Sequence, residues 1–93
     1  MKENPKKLEC EIIDNVECVI NSESGRFGIA YRLLSVKCGA DYYLIEITTD
    51  EESELVSVGQ REGEAREIYT MLISAEVTPC TLRDCVNNLK CQA

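Results

Sequence analysis

EGEAREIYTMLISAEVTPCTLRDCVNNLK, residues Glu62 to Lys90, is the stretch that decides the fold. Ala65, Ile68, Tyr69, Leu72 and Ile73 recur at i, i+3, i+4, i+7 and i+8, the spacing of one apolar helical face. Leu82, Cys85, Val86 and Leu89 repeat it, so two short amphipathic helices follow one another with a hinge at Thr78-Pro79. Thr78 suits an N-cap and Pro79 the first helical position, where a missing N–H costs nothing. Val77 is then placed to staple to Leu82. Two such stripes must be buried against something, and the remaining apolar surface is upstream.

That upstream part reads as sheet. Leu8, Cys10, Ile12, Val16, Cys18 and Ile20 fall on even positions, a period of two interrupted at Asp14, where Asp14-Asn15 predicts a bulge or a turn. Asn21 to Gly25 has turn composition. Phe27 to Lys37 and Tyr42 to Thr49 are the next strands, separated by Cys38-Gly39-Ala40-Asp41, and Leu55 to Val58 is a short fourth before Gly59. The spacing predicts an α+β fold: an antiparallel sheet of about four strands with two C-terminal helices packed on one face. Residues 1–7 (MKENPKK) read as a frayed tail and residues 8–93 as one domain, 8–60 sheet and 61–91 helix pair.

Composition narrows the chemistry. The 93 residues contain no histidine, which removes the commonest general base near neutral pH and the commonest zinc nitrogen ligand. No phosphate-binding glycine motif and no nucleophile elbow occurs, so the reading is non-enzymatic, with no cofactor. A net charge of −7 argues against nucleic acid or an anionic membrane as partner. No apolar run approaches a membrane span or an export signal, so a cytoplasmic protein is expected, its six cysteines reduced.

Those cysteines read mainly as small buried hydrophobes. In an unbroken strand Cys10 and Cys18 share a face but lie roughly 26 Å apart. Cys80 and Cys85 are separated by about 7.5 Å along a helix and about 140° around it. No CxxC occurs. A thiol-based metal or redox site, the first alternative, would draw on Cys80, Cys85 and Cys91, the last being nearest the terminus. The acidic run Asp50 to Glu54 lacks the spacing of a calcium loop and reads as a solvated turn. A helix-turn-helix DNA reader is the second alternative. From Arg61 to Ala93, however, four basic residues face five acidic ones, too little cation to dock on phosphates.

The segments Tyr31-Arg32-Leu33, Tyr43-Leu44-Ile45-Glu46-Ile47, the acidic loop, Val56-Ser57-Val58, Arg61-Glu62, Val77-Thr78-Pro79 and Leu82-Arg83-Asp84 give residues 29–89 a likeness. This part resembles a family of small uncharacterised proteins of clostridia-like Gram-positive bacteria carrying a domain-of-unknown-function label. The resemblance implies an α+β fold and no particular activity. The chain departs from that pattern at Gly59, where a capping residue is expected, and in its cysteines. Tyr42-Tyr43 puts one ring on each sheet face, which makes this pair the candidate interface. With Ile13, Val19 and one tyrosine on the free face, the expected role is an interaction or regulatory module whose partner is protein, in the first place itself as a homodimer.

Overall fold

The computed structural model describes residues 9–23, 25–38 and 40–91; the tail expected over residues 1–7 lies outside them. Four strands, β1 (Glu9–Ser22), β2 (Gly25–Cys38), β3 (Ala40–Thr49) and β4 (Ser53–Gly59), are followed by α1 (Glu62–Ser74) and α2 (Pro79–Cys91). The strands form one antiparallel meander in sequence order. The fold is α+β, as the period-two and period-3.6 patterns require.

Both helices pack on one face of the sheet, over β2, β3 and β4. The face they cover is built by alternate residues of the strands: Ile29, Tyr31 and Leu33 on β2, Tyr43, Ile45 and Ile47 on β3, Val56 and Val58 on β4. Against these α1 buries Ala65, Ile68, Tyr69 and Leu72, and α2 buries Leu82 and Val86. Those are the positions of the two apolar stripes. Val77, just before α2, is buried with Leu82, and Glu62 pairs with Arg66 one turn on at 2.8 Å.

Three local features depart from regular geometry. The register of β1 against β2 shifts between Ile12 and Asp14, so Ile13 is an extra residue and the Asp14-Asn15 interruption resolves as a bulge rather than a turn. Gly59 sits opposite Tyr43, where the β3–β4 register shifts, with φ 99, a conformation that a side chain disfavours. That is why glycine stands where a capping residue was expected. Third, α1 closes with Glu76 at φ 54. The Glu76 N–H donates to the Ile73 carbonyl at 3.1 Å and the Val77 N–H to the Leu72 carbonyl at 3.1 Å, a Schellman closure sealed by buried Leu72 and Val77.

Two buried tyrosines fasten the helix layer to the sheet. The Tyr31 hydroxyl on β2 donates to the Val77 carbonyl at 3.0 Å, and the Tyr69 hydroxyl on α1 donates to the Tyr31 carbonyl at 2.9 Å. Burial, followed by the nearby Cys18 and Glu76, pushes the Tyr31 phenol up to about 12. Burial, followed by the neighbouring Asp14, raises Tyr69 as well.

Glu76 occupies a left-handed position without being glycine, so Glu76→Gly is expected to add about 1 kcal/mol to stability, or ~4–8 °C in Tm. Thermal melts check this, and an unchanged or lowered Tm contradicts the strain. In the unfolded chain Tyr31 ionises near 10.0, whereas the folded chain keeps its proton to about 12. The unfolded state therefore releases protons first, and stability present below pH 10 falls as pH rises toward 12. Urea titrations from pH 8 to 11.5 should show that fall, with a shallower slope in Tyr31→Phe. That variant also loses ~1–3 kcal/mol at neutral pH, because the Val77 carbonyl is left buried without its donor.

Candidate functional site

The residues with chemistry of their own are dispersed. Among the described residues no three Cys, Asp or Glu side chains are grouped as a metal ion would need. Cys10 and Cys80 are exposed, Cys18 and Cys85 half-buried, and all four are free thiols. Of the thiol candidates, Cys80 opens α2 on the surface beside the Thr78 hydroxyl at 3.4 Å, whereas Cys85 turns toward the core. The Cys91 side chain lies outside the described residues. Cys10 and Cys18 do not share a face: Cys10 pairs with Val36 and Cys18 with Ile29, whose side chains leave the sheet on opposite sides. The extra residue at Ile13 inverts the alternation between them.

The acidic loop is organised by Thr49, whose hydroxyl accepts from the Glu51 and Glu52 N–H groups at 3.3 Å each. Glu54 is engaged by Arg83. One of the two cations of α2 is thus spent on the sheet.

What remains is the face of the sheet that the helices leave open. It carries the other parity of each strand: Ile12 on β1, Leu34 and Val36 on β2, Tyr42 and Leu44 on β3, Leu55 on β4. In register, Ile12 lies beside Leu34, Leu34 beside Leu44, and Val36 beside Tyr42, a continuous apolar patch toward the β2–β3 hairpin end. Ile12 is 58% exposed, Leu55 46% and Tyr42 39%. The patch is bounded by an Arg32–Glu46 ion pair at 2.8 Å spanning β2 and β3, flanked by Asn15 and Leu55. Beyond it small residues, Gly28 and Ala30 with Thr48, floor an open depression of about 480 Å³.

Of the tyrosine pair, Tyr42 stands on this open face. Tyr43 is 9% exposed on the helix side, so the two rings do not share one surface. Ile13, expected on the free face, packs against the core, and Ile12 takes its place outside. Sequence reasoning passed over Leu34, Val36 and Leu44. The signal was the doubled apolar parity of Leu33-Leu34 and Tyr43-Leu44-Ile45, which marks strands that have apolar contact on both faces.

The chain matches no family model, no curated protein and no solved structure.

The exposure of the thiols gives an order of reaction: under native conditions Cys10 and Cys80 are expected to alkylate before Cys18 and Cys85. Mass mapping of peptides after timed exposure to iodoacetamide reads that order, and early labelling of Cys18 contradicts its packing.

Proposed function

We propose that this protein is a non-enzymatic, cytoplasmic interaction module that works through the open face of its sheet, with a second copy of itself as partner. The observation that carries the reading is the apolar patch of Ile12, Leu34, Val36, Tyr42 and Leu44 on a face that no element among the described residues covers. A two-layer domain is satisfied on its helix side, so such a patch contributes nothing to the monomer's core and favours association. Both faces of strands 10 and 14 residues long are then used, one to fold and one to bind. The free thiols fit a reducing compartment. The rival readings are a thiol-based metal or redox protein and a DNA-binding regulator. Neither gains from the dispersed cysteines or from an Arg83 already paired with Glu54.

Native mass spectrometry of anaerobically purified protein tests this. A bare dimer is expected for the wild type. Ile12→Lys/Tyr42→Lys alters only exposed side chains, and should weaken association by roughly a hundredfold or more while the helix signal in circular dichroism is retained. A wild type that stays monomeric across micromolar concentrations removes the reading. Added mass of zinc or of an iron–sulfur cluster would replace it with the thiol site.

A further inference from the structure

Resting on the reading of the open face as a self-association surface, we propose that two copies pack sheet on sheet about a two-fold axis parallel to the strands, between β2 and β3. This axis sets Arg32 of each copy against Glu46 of the other.

Three observations favour a second copy over an unlike partner. The first is charge. The chain carries −7, yet its open face carries two cations, Arg26 and Arg32, against three carboxylates, Glu17, Glu46 and, at the rim of the depression, Asp50, a sum of −1. Copies that repel elsewhere therefore meet here with most of that repulsion removed. The second is area. About 30 Å along the strands and about 19 Å across them give ~600 Å² per copy, or ~1,200 Å² in total, the lower end of what specific interfaces bury. The third is the β2–β3 register, which pairs Leu34 with Leu44, Val36 with Tyr42 and Arg32 with Glu46, so that exchanging the two strands sets apolar on apolar and cation on carboxylate, the self-complementarity a two-fold interface demands.

The position of the axis follows from the register. For two sheets packed with their strands aligned, the in-plane axis runs either across the strands or along them. An axis across the strands reverses them end for end and keeps each strand over its own copy. If it runs along the central row, Arg32 then faces Arg32 and Glu46 faces Glu46, and the apolar patch falls on the small-residue end rather than on its like. An axis along the strands exchanges β2 with β3. Leu34 then faces Leu44 of the second copy, Val36 faces Tyr42, and the ion pair of each copy is met by the reversed pair of the other. The Arg32–Glu46 bridge becomes a four-charge cluster of alternating sign, removed from water between two sheets, where opposite charges gain and like charges cost most. The patch supplies the attraction, and this cluster supplies the register.

The arrangement has a sorting rule. A chain with Arg32→Glu and Glu46→Arg keeps its internal ion pair in reversed order and folds and self-associates as the wild type does. Mixed with wild type, however, it places Glu against Glu and Arg against Arg. After equimolar mixing of ¹⁵N-labelled wild type with this double variant, native mass spectrometry should show both homodimers, with mixed dimers at least about tenfold below their statistical share. The single variants R32E and E46R should each self-associate at least about tenfold more weakly than the wild type, because each turns the alternating cluster into four like charges, whereas the axis across the strands already sets like on like in the wild type and requires no such loss; this readout stands even if the double variant folds poorly. Mixed dimers at or above the statistical share overturn this axis while leaving self-association intact. A wild type that forms no dimer overturns the reading on which the axis rests.

Discussion

The structure depends on the junction at Tyr31. Its ring lies in the core between sheet and helices, its hydroxyl satisfies the Val77 carbonyl in the turn between α1 and α2, and its own carbonyl receives the Tyr69 hydroxyl of α1. Apolar stripes alone let a helix slide and rotate on a sheet at small cost, because burial is not directional. Two buried hydrogen bonds with fixed donors and acceptors remove that freedom, since a misplaced helix would strand a hydroxyl or a carbonyl out of water. The helix pair is thereby held over β2, β3 and β4, and the sheet acquires one inside.

One inside means one outside. The helices supply enough apolar surface for a single layer, and the second face of the sheet is left to solvent although its strands carry leucine, valine and tyrosine there. The central ion pair divides that face into an apolar part and a part floored by small residues. The asymmetry of the fold and the chemistry of the face thus have one origin. A chain with a single helix layer must either make its other face polar or leave apolar side chains on it, and residues 34, 36, 42 and 44 take the second course.

The sequence carried the helices well. Their apolar positions, their separation at Thr78-Pro79 and the acid–base pair Glu62–Arg66 were all readable, because helical periodicity and i, i+4 pairing are local rules. The strands and their antiparallel pairing with neighbours followed from short turns, whereas the order of the whole sheet is settled by tertiary pairing. The assignment of faces in β1 was less legible. Leu8 to Ile20 reads as a single even-numbered stripe, yet one extra residue at Ile13 sends Ile12 and Cys10 outward and Val16, Cys18 and Ile20 inward. Nothing local distinguishes a bulge from a turn at Asp14-Asn15, since that choice is made by pairing with β2, a tertiary fact. The same holds for Gly59, whose backbone angle is set by the shifted pairing with Tyr43. The tyrosine pair gave half of the candidate surface, Tyr42. The rest sat in the doubled apolar parity of β2 and β3, which a search for catalytic or metal motifs passes over.

The central claim, that the face opposite the helices is the one the protein uses, is tested most directly by the solvent exposure of its methyl groups as concentration rises. With a soluble paramagnetic agent, NMR signals from Ile12, Leu34, Val36, Leu44 and Leu55 should broaden in dilute solution and become protected at high concentration, while Met71 on the exposed side of α1 stays broadened throughout. Protection that appears instead on the helix layer, with the open face still accessible, would contradict the account.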